Sequence, residues 1–431
     1  MKKMSLCWLS LLVCAEFLNA GQSPSRMDRS RLNIGTYYLQ PYASSEAHIK
    51  DLADCGIDFV VCMRNEHPTL DLFYKYHVGA FVSKAVPGWW GGRGANAGTM
   101  EKKNPLSVYE TALAKFQNHP AIWGIDIGDE PSALDFPHYG RVASMVNKSC
   151  PDQIAYMNLY PNYGAIATNT AQDVIDQLGT ATYEEHIAAY CKHVPLDYLS
   201  YDFYMYSITV PKAYENLRVV SDACLGTGRS MWIVLQVNSN NPEKWISENQ
   251  LRFQAYTAMA FGAENIVWAC YTAGWWHNQV VDKNGQKTQQ YEKLKTVNRE
   301  IHNLGAEYMR YRRVATHFVG YDGTPWLEGV KQSSKKALDN GFFQAVRLQD
   351  DTPCVIGTMV SRSGDSTYAM FVCIADDPLD QAPKDHKLLF RADGRSVKVF
   401  GGSGEIKVSR LEDGSYSVPV RSNAGVLVTA K

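Results

Sequence analysis

A β/α repeat constrains this chain more than any other feature. Eight segments read as strands: LNIGTYY (Leu32 to Tyr38), DFVVCM (Asp58 to Met63), VGAFVSK (Val78 to Lys84), IWGIDIG (Ile122 to Gly128), IAYMNLY (Ile154 to Tyr160), LDYLSYDFY (Leu196 to Tyr204), MWIVLQV (Met231 to Val237) and NIVWACY (Asn265 to Tyr271). Between them lie amphipathic stretches such as SVYETALAKFQNH and SENQLRFQAYTAMAFGA, with apolar residues at helical spacing. Eight β/α units in under about 300 residues predict a (β/α)8 TIM barrel. A doubly wound open sheet is the competing arrangement, but no Gly-x-Gly-x-x-Gly or phosphate-binding Gly-Lys-Ser/Thr loop follows an early strand.

The character changes after about Tyr311. Short alternating runs (FFQAVRLQ, CVIGTMVS, TYAMFVCIA, HKLLFRA, SVKVFGG, YSVPV and GVLVTA) are separated by turn residues such as RSGDS and EDGS. They predict a small all-β sandwich. The expected layout is a leader over residues 1–20, a linker over 21–31, the barrel over 32–310 and the sandwich over 311–431.

The leader rests on Lys2 and Lys3 before the apolar run Leu6 to Phe17, with Leu18-Asn19-Ala20 as the cleavage site. Cys14 would carry a lipid tether, although Val13 before it is bulkier than such signals usually take. No later apolar run is long enough to cross a bilayer. The expectation is an exported chain: periplasmic, cell-surface or extracellular. Cys55, Cys62, Cys150, Cys191, Cys224, Cys270, Cys354 and Cys373 are scattered, without metal-ligand spacing, and read mainly as small buried hydrophobes. Disulfide pairing and oligomeric state are not legible. A formal net charge of −1 argues against a nucleic-acid partner.

In such a barrel the active site lies at the C-terminal strand ends. Strand two leads to Arg64, Asn65, Glu66 and His67, where Arg64 and Glu66 also read as a bracing pair. Strand three leads to a Gly-rich loop bearing Trp89 and Trp90, and strand four to Asp129 and Glu130. The fifth gives Asn158, Tyr160 and Asn162, and the sixth Asp202, Tyr204 and Tyr206. The seventh gives Gln236 and Asn238, and the eighth Tyr271, Trp275, Trp276 and His277. Sugars present CH faces to aromatic rings and hydroxyls to amides and acids, so this set predicts a carbohydrate substrate. Trp89, Trp90, Trp275 and Trp276 would be stacking platforms; Asn158 and Gln236 would contact hydroxyls. No metal or organic cofactor is implied.

Asp129-Glu130-Pro131 is the sharpest signal. Two adjacent acids raise one another's pKa, and an acid that keeps its proton near neutrality can donate it, as glycosidic bond cleavage requires. At these residues the chain resembles the clan of (β/α)8 glycoside hydrolases whose acid/base Glu follows strand four in an Asn-Glu-Pro motif, here Asp-Glu-Pro. The run WISENQLRFQAYTAMAFGAENIVWACYTAGWW is similar to that clan's last helix and eighth strand, and the C-terminal module resembles the sandwich many of its members carry. The resemblance implies Glu130 as acid/base. It also implies a Glu nucleophile at the end of strand seven, where this chain has Gln236, and Gln cannot form a glycosyl ester.

Three readings follow. One is a glycosidase with Glu130 as acid, Asp202 as second carboxylate and Asp129 tuning Glu130 or holding substrate. Another is a substrate-assisted N-acetylhexosaminidase-like enzyme, in which Asp129 orients an acetamido group, Glu130 protonates the leaving oxygen and Tyr204 hydrogen-bonds the acetamido carbonyl. The third is a barrel that binds glycans without cleaving them.

Overall fold

The structure, a computed structural model, describes residues 26–166, 176–322, 334–376, 383–393 and 396–431. The expected leader, Cys14 and the first part of the expected linker lie outside these residues. Each expected strand segment matches a strand to within two residues at either end: β1 (Asn33–Tyr37), β2 (Phe59–Met63), β3 (Gly79–Val82), β4 (Ile122–Asp129), β5 (Ile154–Asn158), β6 (Tyr198–Asp202), β7 (Ser230–Gln236) and β8 (Ala263–Ala269). They pair in parallel in the order β5-β4-β3-β2-β1-β8-β7-β6. Leu159, just past β5, closes the ring by donating its N–H to Ser200 O at 2.8 Å. The result is a TIM barrel.

Rings fill its interior. Phe59 meets Phe81 at 5.0 Å, Phe81 meets Tyr156 at 5.4 Å and Tyr198 stacks on Trp232 at 4.5 Å between centroids. The barrel is therefore a packed core, and any cleft must lie above it. Residues 26–31, expected as linker, lie against the other end: Arg26 N–H bonds Asp152 O at 3.1 Å, and Arg29 and Arg31 pair with Asp197 and Asp58.

Helix ends follow local chemistry. Thr182 with Glu185 and Ser247 with Gln250 form reciprocal capping boxes at the starts of helices Tyr183–His193 and Glu248–Ala260. Among the described residues no helix is long and apolar enough to cross a membrane. All eight cysteines there are free thiols, six of them buried.

After helix Gln289–Tyr308 the chain enters two antiparallel-rich sheets, one of seven strands and one of four. Side-chain alternation in the larger sheet explains why its strands are apolar on both faces. Val355, Met359, Phe371, Cys373 and Leu427 join the barrel's core, whereas Ile356, Met370, Val372, Val426 and Val428 pack towards the smaller sheet. The sandwich is thus seated on the barrel helices: Phe371 meets Tyr256 at 6.1 Å and Tyr308 at 5.5 Å.

Gly357 marks the closest approach, where an added Cβ would lie 2.2 Å from Ala260 O. Neither backbone can yield without moving a strand or a helix. Gly357→Ala is expected to lower unfolding stability by about 1–3 kcal/mol, the usual range for overpacking, measured by denaturant melts. An unchanged midpoint would contradict this seating.

Candidate active site

The site is built on β4. A register shift falls between Asp126 and Gly128, so that Asp126 stands opposite Tyr156 and Asp129 opposite Asn158. Tyr156 and Asn158 lie two apart on β5 and share its inward face. The bulge therefore turns Asp126 and Asp129 to the same side, which regular alternation would forbid.

The loop after β3 is stitched to this strand end. Asp129 N–H bonds Trp89 O at 2.8 Å, and Gly91 N–H bonds Asp129 O at 2.9 Å. Gly91 is required there, since a Cβ would fall 1.6 Å from Glu130 O. The stitching presents the Trp90 indole, whose N–H donates to Glu130 Oε2 at 2.9 Å while its ring stays 66% exposed. Trp89 is half-buried, with the Lys103 ammonium 5.1 Å from its ring.

Asn158 stands among three acids. Its main-chain O accepts from Glu130 N–H at 2.8 Å. Its amide donates to Asp202 Oδ1 at 2.9 Å and favours the charged form of the neighbouring Asp129. Its Oδ1 accepts from Ser200 Oγ at 2.9 Å. Asn158 and Asp202 are buried, and Asp129 and Glu130 are partly open at the strand ends.

Burial, then the neighbouring carboxylates, pushes Asp129 and Glu130 well above the ordinary carboxylate range. Burial lifts Asp202 to about 7 against the Asn158 hydrogen bond. Asp126 is lifted to about 6 by burial, against its bonds from Gly128 N–H and Cys62 Sγ. Among the described residues no Lys or Arg contributes to any of these shifts. Four acids without a cation cannot all ionise at neutral pH.

Aromatic rings form the opposite wall. Tyr204 meets Trp276 at 4.8 Å and Trp275 at 6.0 Å, and Trp275 meets Tyr38 at 5.8 Å. Asn238 Nδ2 donates to Trp275 O at 2.6 Å, and Ser239 and His277 exchange backbone bonds of 3.0 and 2.8 Å to hold the loop. Tyr38, Cys62, Glu130 and Trp276 have φ of 61°, 60°, 49° and 62°. Left-handed backbone at non-glycine residues costs of the order of 1–3 kcal/mol each, and here it gathers around one mouth.

The structure thus brings together Glu130, Asp129, Asp202, Asn158 and Trp90 on one side and Tyr204, Trp275 and Trp276 on the other. Two expected contacts to substrate are otherwise engaged. Both amide hydrogens of Gln236 are taken, by Ser207 Oγ at 3.1 Å and Asn238 O at 3.0 Å, and its Oε1 accepts from Tyr206 N–H at 3.2 Å. Gln236 ties loops together and has no hydrogen left for a sugar. Asn158 serves the acids. Arg64 and Glu66 form an exposed pair at 3.6 Å, the bracing reading. Sequence reasoning missed Asp126, Ser200 and the inward Cys62; only the bulge and the β5–β6 seam reveal them. Among the described residues no cluster of three or more His, Cys, Asp or Glu is arranged to hold a metal.

No protein-family model matches the chain, and no curated protein matches its sequence. Solved structures do. A Paenibacillus cycloisomaltooligosaccharide glucanotransferase, complexed with cycloisomaltoheptaose, aligns over 93% of this chain and 85% of its own at 9% identity and TM-score 0.54. A glycoside hydrolase family 5 mannosidase from Rhizomucor miehei aligns over 61% of this chain and 91% of its own at 12% identity, TM-score 0.39. Xylanase 10B from Thermotoga maritima aligns over 63% and 95% at 13% identity, TM-score 0.42. At these identities the first likeness speaks for the fold, and the other two add no weight.

A raised pKa predicts a protonated carboxyl at neutral pH. Carboxyl-region difference infrared spectra at pH 7 should show protonated C=O absorption that Glu130→Gln diminishes. No band, or one indifferent to that substitution, would contradict the electrostatic picture.

Proposed function

We propose that this protein hydrolyses a glycosidic bond in an oligo- or polysaccharide, with Glu130 as general acid/base and Asp202 as the second carboxylate. The observation that carries this reading is the group of acids at the barrel mouth, with no Lys or Arg offsetting it among the described residues, joined by Asn158 and faced by partly exposed indoles. The barrel over residues 32–310 would be the catalytic unit, and the leader pattern would place it outside the cytoplasm.

In this reading a sugar ring seats against Trp275 and Trp276. Glu130, held by the Trp90 N–H, gives its proton to the leaving oxygen as the bond to the anomeric carbon breaks. Of the three acids gathered around Asn158, Asp202 is the best able to ionise, since Asn158 donates to it and it is lifted less than Asp129 and Glu130. It either takes a proton from the attacking water, giving inversion, or attacks first and is later released by water, giving retention. NMR of the first-formed product anomer separates these uses. Asp129, beside the same amide, keeps its proton longer and holds substrate or tunes Glu130.

One observation favours the substrate-assisted reading as second choice. Gln236, the residue that ends β7, is locked into the protein, and an acetamido oxygen would supply the nucleophile that β7 lacks. That reading predicts turnover only of 2-acetamido sugars. If neither enzyme operates, the same cleft binds glycans without cleaving them.

Glu130→Gln should lower kcat by about 10²–10⁴-fold, the usual worth of general acid–base catalysis, with substrate affinity retained. A screen of aryl glycosides and of plant, microbial and host glycans provides the assay; an equal rate in the variant would sink the assignment. The rate should also fall as pH drops through about 7, where Asp202 takes up its proton, and fall again at high pH when Glu130 loses its own. These limbs belong to the coupled group and not to either residue alone.

A further inference from the structure

The acids sit at the end of a hydrogen-bonded chain that crosses the barrel core. Tyr37 Oη lies 3.1 Å from Tyr156 Oη, and Tyr156 Oη 3.2 Å from Ser200 Oγ. Ser200 Oγ bonds Asn158 Oδ1 at 2.9 Å, and Asn158 Nδ2 bonds Asp202 at 2.9 Å. Every link is buried. The hydroxyl protons can all run one way, Tyr37 to Tyr156 to Ser200 to Asn158, which leaves the Ser200 hydrogen on the amide oxygen. An amide has two orientations related by a half-turn, and only one turns its N–H groups to the carboxylates. Ser200 selects that one.

We propose that Ser200 is a positioning residue: by donating to Asn158 Oδ1 it fixes the amide so that its hydrogens face the carboxylates, with one bonded to Asp202, and so sets which acid carries charge. Its catalytic relevance rests on the hydrolase reading above, but its electrostatic effect does not. Without the Ser200 hydroxyl, Asn158 Oδ1 has no partner there, and rotation would bring that oxygen against Asp202. The carboxylate would lose a donor and face an acceptor, so its charged form would be disfavoured.

Among the described residues, none of the other groups facing Asp202 carries a positive charge. They are Asp129 and Glu130 from β4, Tyr160 and Tyr163 after β5, Tyr183 at the start of helix Tyr183–His193, and Tyr201 and Tyr204 from its own segment. All are acids or phenols.

The test uses the full chain labelled with ¹³C at the aspartate carboxyl carbons, titrated by NMR, with Asp202→Asn assigning the resonance. In Ser200→Ala the Asp202 midpoint should rise by about one unit, which is a tenfold change in its ionisation equilibrium. The acid limb of kcat should move up with it, so that kcat at pH 6 falls about tenfold while KM stays constant. Ser200→Thr keeps the hydroxyl and should restore both. Tyr156→Phe removes the link behind Ser200 and should shift the midpoint less, in the same direction. An unmoved midpoint in Ser200→Ala would overturn the proposal, as would a loss of rate with no change in pH profile. A shifted midpoint in a protein that turns over no glycoside would support the positioning role and count against the hydrolase reading alone.

Discussion

The site depends on one residue that performs no chemistry. Asn158 accepts from the Glu130 main chain, donates to the Asp202 carboxylate and favours the charged form of Asp129 beside it. Carboxylates in such a place repel one another, and among the described residues no arginine or lysine offsets them. A neutral amide relieves that strain in graded fashion: it favours the charged form where its hydrogens point and leaves the rest protonated. Under the proposed hydrolysis, the mixture of one donor and one ionised acid would arise from geometry, without a cation that would compete for the substrate's place.

That geometry is held from below and from the side. The ring-filled barrel core fixes β5 and β6, whose seam at Leu159 and Ser200 sets the distance from Asn158 to Asp202. The sandwich adds a second layer behind the barrel helices, with Phe371 between Tyr256 and Tyr308. Helix Glu248–Ala260 carries Gln254, which bonds the Gln236 main chain at 2.9 and 2.6 Å. The β-module therefore braces the helix that anchors the end of β7. Precision at the mouth is consistent with strain being stored there, in four non-glycine residues with left-handed backbone.

Much of this was legible in the sequence, and the reasons are physical. Buried parallel strands are apolar runs, and helices between them show a 3.6-residue period, so the eight units stand out. Asp129-Glu130 was legible because two charges at a strand end contradict burial unless they are used. What escaped depends on contacts between distant segments. Alternation along IWGIDIG puts Asp126 on the face opposite Asp129; the bulge that reverses this is a property of the β4–β5 pairing. Gln236 and Asn158 look like sugar ligands until partners such as Ser207 and Asp202, 29 and 44 residues away, are known. Ser200 looks like any small residue in a strand.

The central claim is that Glu130 protonates the leaving oxygen, and leaving-group dependence tests it most directly. Turnover of Glu130→Ala should be measured on a series of aryl glycosides of the accepted sugar, graded by the acidity of the released phenol. A phenol that departs without help needs no acid. The dinitrophenyl glycoside should therefore be cleaved at close to the wild-type rate for the bond-breaking step, with the loss growing steadily as the phenol becomes less acidic. A uniform loss across the series would contradict the assignment of Glu130 as proton donor, and so would no loss at all.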